Sequence, residues 1–209
     1  GSGTDETETT ETTTTETGSD DEDTIERLDF SHLMNKGQET SLDEGVHRVG
    51  KDVEPGRYKI TADEGAGTGG IYINDEEDSS FFSATLTEGT TSRADSITEM
   101  VTFLDEEYEI EVTGLESVTL TPYETQDVTT LVTGQWIAGE DFPAGVYDIS
   151  TTFDETVGDI MVTQVKGMSK SRHSIGNEEY GGMTDFTMSF VDDDFVELEY
   201  VPEVTLSKR

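Results

Sequence analysis

The sequence predicts an all-β protein: two tandem antiparallel β-sandwich modules preceded by a disordered acidic tether and a short helix. Three observations carry that expectation. From Gly45 onward, Val, Ile, Thr, Tyr and Phe alternate with polar residues between clusters of Gly and Asp, the texture of half-buried strands. A turn-plus-strand stretch recurs after 89 residues. The residues ahead of Gly45 lack that texture, and 209 residues suffice for two small domains with a core each.

Residues 1–24 hold nine acidic side chains, no basic one and no aliphatic or aromatic residue. Such a segment cannot bury enough apolar surface to offset its ordering entropy, so it is expected as a charge-extended tether. Its role is either to space a folded part from a surface or to solubilise it, and its threonines permit O-glycosylation. Residues 25–44 follow as a short helix and linker. Ile25, Leu28, Phe30, Leu33 and Met34 fall mostly three or four apart behind the cap candidates Asp23 and Thr24, and Gly37 stops the pattern. Such a helix would dock on the first module or bind a partner.

Strand candidates include Arg57–Thr61, Tyr108–Val112 and Val118–Thr121, each with every second side chain able to face a core. Residues 50–60, GKDVEPGRYKI, match residues 139–149, GEDFPAGVYDI, with Gly50, Asp52, Gly56, Tyr58 and Ile60 identical to Gly139, Asp141, Gly145, Tyr147 and Ile149. The same spacing pairs Gly69, Ile71 and Ile73 with Gly158, Ile160 and Val162. Further on, Phe103-Leu104-Asp105 matches Phe190-Val191-Asp192 at 87, Ile110 and Val112 match Leu198 and Tyr200 at 88, and Val118-Thr119-Leu120 matches Val204-Thr205-Leu206 at 86. This drift reads as several small insertions and deletions. Modules over 45–125 and 126–209 follow. Gly56 and Gly145 suit the turn into a strand, Asp52 and Asp141 suit turn amides two residues on, and the Tyr and Ile pairs supply core area.

The repeated unit, in Val49-Gly50-Lys51-Asp52-Val53-Glu54-Pro55-Gly56-Arg57-Tyr58 and in Trp136 to Tyr147, resembles a module of Gram-positive cell-surface proteins, often lipoproteins. There the unit reads roughly as an aromatic followed by V-G-x-D-I-x-P-G-x-Y. The resemblance extends over both modules and departs from that pattern at His47, which stands where the second module has Trp136, and at Pro143, one place earlier than Pro55. It implies a compact β-sandwich on an exported protein, in a family of unassigned activity, and it supplies no catalytic residues. In such proteins an acidic Thr-rich tether follows a lipidated cysteine, so the resemblance implies a lipid anchor upstream of Gly1.

Net charge is −36, from 48 acidic against 12 basic residues, shared as −12, −13 and −11 over 1–44, 45–124 and 125–209. That field repels phosphate and anionic headgroups, which argues against nucleic acid and against electrostatic adsorption to a membrane. It suits a high-salt environment or display outside a cell. Absence of cysteine excludes disulfides, thiolate metal sites and cysteine nucleophiles. No apolar run approaches the ~20 residues of a transmembrane helix and no signal-peptide order occurs, so the chain is expected to be soluble as it stands.

No motif points to catalysis, a cofactor or a metal. Gly65–Gly70 satisfies G-x-G-x-x-G, but the strand-like Ile71-Tyr72-Ile73 follows where a dinucleotide site needs a helix. His32, His47 and His173 lie far apart. Ser169-Lys170-Ser171-Arg172-His173 groups triad-type residues as sequence neighbours, a poor source of triad geometry. Asp75-Glu76-Glu77-Asp78 and Asp192-Asp193-Asp194 offer oxygen ligands that suit weak calcium binding, without the EF-hand order. Acidic residues are too abundant for any pair to single out a glycosidase. The expectation is a non-enzymatic, extracytoplasmic surface protein whose module pair binds an unidentified envelope component or serves structural display. A carbohydrate-active or other hydrolytic accessory, and a halophilic secreted protein of the same fold, are its rivals.

Overall fold

The computed structural model describes residues 29–164 and 170–209. The expected tether, 1–24, and the start of the expected helix, 25–28, lie outside the described residues. The fold is all-β. Its strands are β1 (Thr40–Arg48), β2 (Gly56–Ala62), β3 (Thr68–Asn74), β4 (Ser80–Thr87), β5 (Met100–Leu104) and β6 (Glu109–Pro122), followed by β7 (Thr130–Ile137), β8 (Gly145–Ser150), β9 (Val157–Thr163), β10 (Lys170–Gly176), β11 (Asp185–Phe190) and β12 (Phe195–Lys208). Two 3-10 turns, Ser31–Leu33 and Glu178–Tyr180, are the helical segments among the described residues.

In place of the amphipathic helix expected through Met34, the described part of that stretch holds one 3-10 turn, and the segment taken as linker already enters β1 at Thr40. A three-residue apolar spacing serves a 3-10 turn as well as a helix, and burial decides between them. Phe30 and Leu33 are drawn into a cluster with Phe103, Ile137 and Phe195, and the Phe30 ring stacks on Phe103 at 4.9 Å. Asp29 Oδ1 accepts the Ser31 N–H at 3.0 Å to start the turn.

Strand pairing repeats. β1 pairs with β6, β2 with β5 and β6, and β3 with β4 and β6. In the same scheme β7 pairs with β12, β8 with β11 and β12, and β9 with β10 and β12, every ladder antiparallel. One parallel pair, Val101 with Gly134, joins β5 to β7 and makes the twelve strands a single continuous mixed sheet. Each half keeps a core of its own. Tyr58, Ile60, Ile71, Ile110 and Leu120 belong to one cluster, and Trp136, Tyr147, Ile149, Ile160 and Val204 to another.

Pairing also corrects the alignment of the two halves. Gly56 faces Leu104 while Gly145 faces Phe190, and Ile71 faces Val112 while Ile160 faces Leu198. The offset is therefore 89 up to β4 and β10 and 86 afterwards, with one three-residue difference in the loop that follows those strands. Phe103 corresponds to Ser189, not Phe190, and Ile110 and Val112 correspond to Val196 and Leu198. Side chains alternate with period two, so a two-residue slip leaves the apolar pattern unchanged, and local identity misplaced the others.

The repeated G-x-D-x-x-x-G-x-Y unit builds the same turn twice. Gly50 and Gly139 hold φ of 92° and 89°, and their N–H groups donate to the carbonyls of Val53 and Phe142 at 2.8 and 2.7 Å. Asp52 and Asp141 accept from the amides four residues back, Arg48 N–H at 2.8 Å and Ile137 N–H at 2.7 Å, and not from amides two residues on. Tyr58 and Tyr147 each donate a 2.6 Å hydrogen bond to the carbonyl four residues earlier, at Glu54 and Pro143. Gly56 is needed for space: a Cβ there would lie 2.3 Å from the Lys36 carbonyl oxygen.

Candidate functional site

Where the two halves meet, strand alternation turns Arg57 away from the core that Tyr58 and Ile60 fill, towards the second half. There its guanidinium is fully buried with Asp141. Nη1 donates to Asp141 Oδ1 at 2.7 Å, Nη2 to Oδ2 at 2.8 Å, and Nη2 also to the Gln135 carbonyl at 2.9 Å. Rings of Phe103 and Tyr123 lie 4.7 Å from Cζ and that of Trp136 5.3 Å, a three-sided aromatic cage. Gln135 Oε1 accepts from Thr102 Oγ1 and from Phe103 N–H, both at 3.0 Å, which ties β7 to β5. A buried bidentate pair with an aromatic jacket has no access to a substrate; its chemistry is that of a fixed joint.

The counterparts of these residues form neither an aromatic cage nor a buried ion pair. Val146 replaces Arg57, Ser189 replaces Phe103, His47 replaces Trp136 and Arg209 replaces Tyr123. The pairing positions of Ile137 and Phe195 are held in the first half by Arg48 and Glu109, which form an ion pair of 3.1 Å. One face of each half is thus built for its neighbour and the other for water, as in the ends of a repeat array.

Beside the joint lies an open cleft of 490 Å³ lined from both halves. Thr90, Ser92, Ile97, Thr98 and Glu99 come from the loop after β4, the one three residues longer than its counterpart, and Thr151–Glu155 and Pro202-Glu203 come from the second half. Among the described residues, no cationic side chain lines the cleft. A separate, smaller hollow of 80 Å³ shares Ile97 with it and is lined also by Arg93, Thr133 and Tyr200. Tyr200 is 60% exposed and takes φ of 63° where the first half has Gly114 at 73°.

No protein-family model, curated protein or solved structure matches the chain. Its chemistry therefore has to be read from its own residues.

The residues singled out in the sequence are scattered. His32 Nε2 lies 2.9 Å from Asp105 Oδ2, His47 Nε2 lies 2.7 Å from the Asp43 carbonyl, and His173 stacks on Phe186 at 5.0 Å. Ser169 lies outside the described residues, and Arg172 reaches Met161 Sδ at 3.0 Å. Gly65 and Gly67 form the turn into β3, which begins at Thr68, so a strand follows the glycine run. Asp75 Oδ1 accepts from the amides of Glu77 and Ser79, which closes its own loop. Asp194 is buried, which raises its carboxyl pKa, and it accepts the Val191 N–H at 2.9 Å. Among the described residues no group of three or more His, Asp or Glu is placed to hold a metal ion.

Glu199 gives a pH prediction. Burial, and secondarily Asp159 opposite it on β9, raise its pKa, with Arg172 offsetting part of the effect. The folded state then holds this proton to higher pH than the unfolded chain, so stability falls as pH rises from the ordinary carboxylate value through the raised one. Glu199→Gln is expected to raise the urea midpoint at neutral pH and to lose that advantage in acid. A gain that persists unchanged at low pH would contradict this origin.

Proposed function

We propose that the chain is a non-enzymatic, extracytoplasmic surface protein that holds two β-sandwich modules in fixed relation for binding or structural display on a bacterial envelope. One observation carries the reading: the recurring residues build turns and strands, and the partners that fasten Asp141 and Gly134 across the junction, Arg57, Phe103, Tyr123 and Trp136 among them, differ between the halves. Bent central strands support the sandwich assignment, since β6 and β12 each pair with three others and each half encloses its own apolar cluster. The resemblance to Gram-positive surface modules and the acidic segment ahead of them support the location. A lipid anchor upstream is part of the same proposal.

The test is fractionation of the native host combined with protease treatment of intact cells. Recovery in the envelope fraction and cleavage from outside are expected, while protein wholly in the cytosol and protected from protease would overturn the proposal. A hydrolytic accessory role is the second reading, favoured by the four carboxylates around the cleft, Glu99, Asp154, Glu155 and Glu203. Turnover abolished by a single one of these substitutions would establish it.

A further inference from the structure

We infer that the cleft between the halves is a binding groove for a neutral oligosaccharide, an inference that deepens the display reading by naming what is bound. The lining settles the ligand's chemistry. Its side chains are hydroxyls, carboxylates and a few apolar groups, so a ligand must bring many hydrogen-bond donors and carry no negative charge. Phe153 is half-buried in the wall, which sets a ring beside the hydroxyls and carboxylates for the C–H face of a sugar. A volume of 490 Å³ is in the range of ligand sites and far exceeds what a single ammonium group fills. The groove also exists only because the halves are joined. Thr98 and Glu99 come from the lengthened loop of the first half, and Phe153 and Glu203 from the second, so neither half alone contains it.

The experiment is amide chemical-shift mapping of the intact chain with hexasaccharides of glucose, of N-acetylglucosamine and of mannose, and with spermine as the cationic comparison. Each is added at low salt and at about 1 M salt, where the screening length is about 3 Å. At least one hexasaccharide is expected to shift the amides of residues 97–99, 151–155 and Glu203, with affinity unchanged by salt because the ligand is uncharged. Phe153→Leu, which keeps the wall filled but removes the ring, is expected to weaken binding about tenfold, the effect of roughly 1.4 kcal/mol of ring stacking, while Tyr200→Ala, outside the cleft's lining, is expected to leave it unchanged. No shifts with any of the three sugars, or shifts confined elsewhere, would overturn the groove. Binding of spermine alone, lost at high salt, would overturn the sugar in favour of a cation. Envelope location is measured separately, so a cytosolic protein that binds a sugar, or an envelope protein that binds none, tells the two proposals apart.

Discussion

Arg57→Met is expected to lower stability by about 3–5 kcal/mol, because it strands the Asp141 carboxylate in a fully buried site with only the Ile137 amide for company. Asp141→Asn should cost a similar amount from the other side, leaving a caged cation without its anion. The double variant removes both charges, retains an amide oxygen for Ile137 N–H, and should recover much of the loss. Urea unfolding of all four proteins closes the cycle, with a coupling of a few kcal/mol expected for groups in direct contact. Single variants within about 1 kcal/mol of the parent would show that the joint is not held by this pair. Asp52→Asn in the equivalent turn is the internal control: its carboxylate is exposed and accepts the Arg48 amide without a buried partner, so its loss is a hydrogen-bond effect of about 1 kcal/mol or less.

Gly134→Ala should cost about 1–3 kcal/mol more than Gly45→Ala, although the two glycines occupy matching positions in their strands. Both have positive φ, 147° and 136°, so backbone strain of about 1–3 kcal/mol is common to the pair. Surroundings differ. A Cβ on Gly134 would sit 2.1 Å from the Val101 carbonyl oxygen, where β5 meets β7, whereas a Cβ on Gly45 meets nothing within 4 Å. The first substitution must push the halves apart; the second projects into open space. Equal destabilisation of the two variants would mean that the approach of β5 to β7 contributes little.

Strand texture and the recurring turn were legible because they depend on local physics: alternation, a left-handed glycine, and a tyrosine that closes its own turn. The helix expected through Met34 was not, since Phe30 and Leu33 are placed by rings on Phe103 and Phe195 that are distant in the sequence. Offsets beyond β4 and β10 misled for a related reason, because alternating strands match themselves at every second residue. The joint was missed altogether. Asp141 was read as a turn residue, which it is, but its partnership with Arg57 has no counterpart in Asp52. A usable signal was present in the differences between the halves: an arginine opposite Val146, and the single tryptophan opposite His47. Identities between repeats mark the scaffold, Asp141 and Gly134 serving the junction as well, and the departures around them mark where one repeat touches the other.

The order in which the chain is made gives the two long central strands a further consequence. β6 and β12 each follow every strand with which they pair inside their own half. During synthesis the first half can close once residue 122 has emerged, but the second must wait for β12. At about 5–20 residues per second that interval is roughly 4–17 s. For that time a finished first half shows Arg57 and Tyr123 without their partners and Phe103 covered on one side only, by Phe30, a partly apolar face ready to meet another nascent chain. The charge of −13 on residues 45–124 then keeps such intermediates apart on a polysome until Trp136 and Asp141 arrive to cover the face.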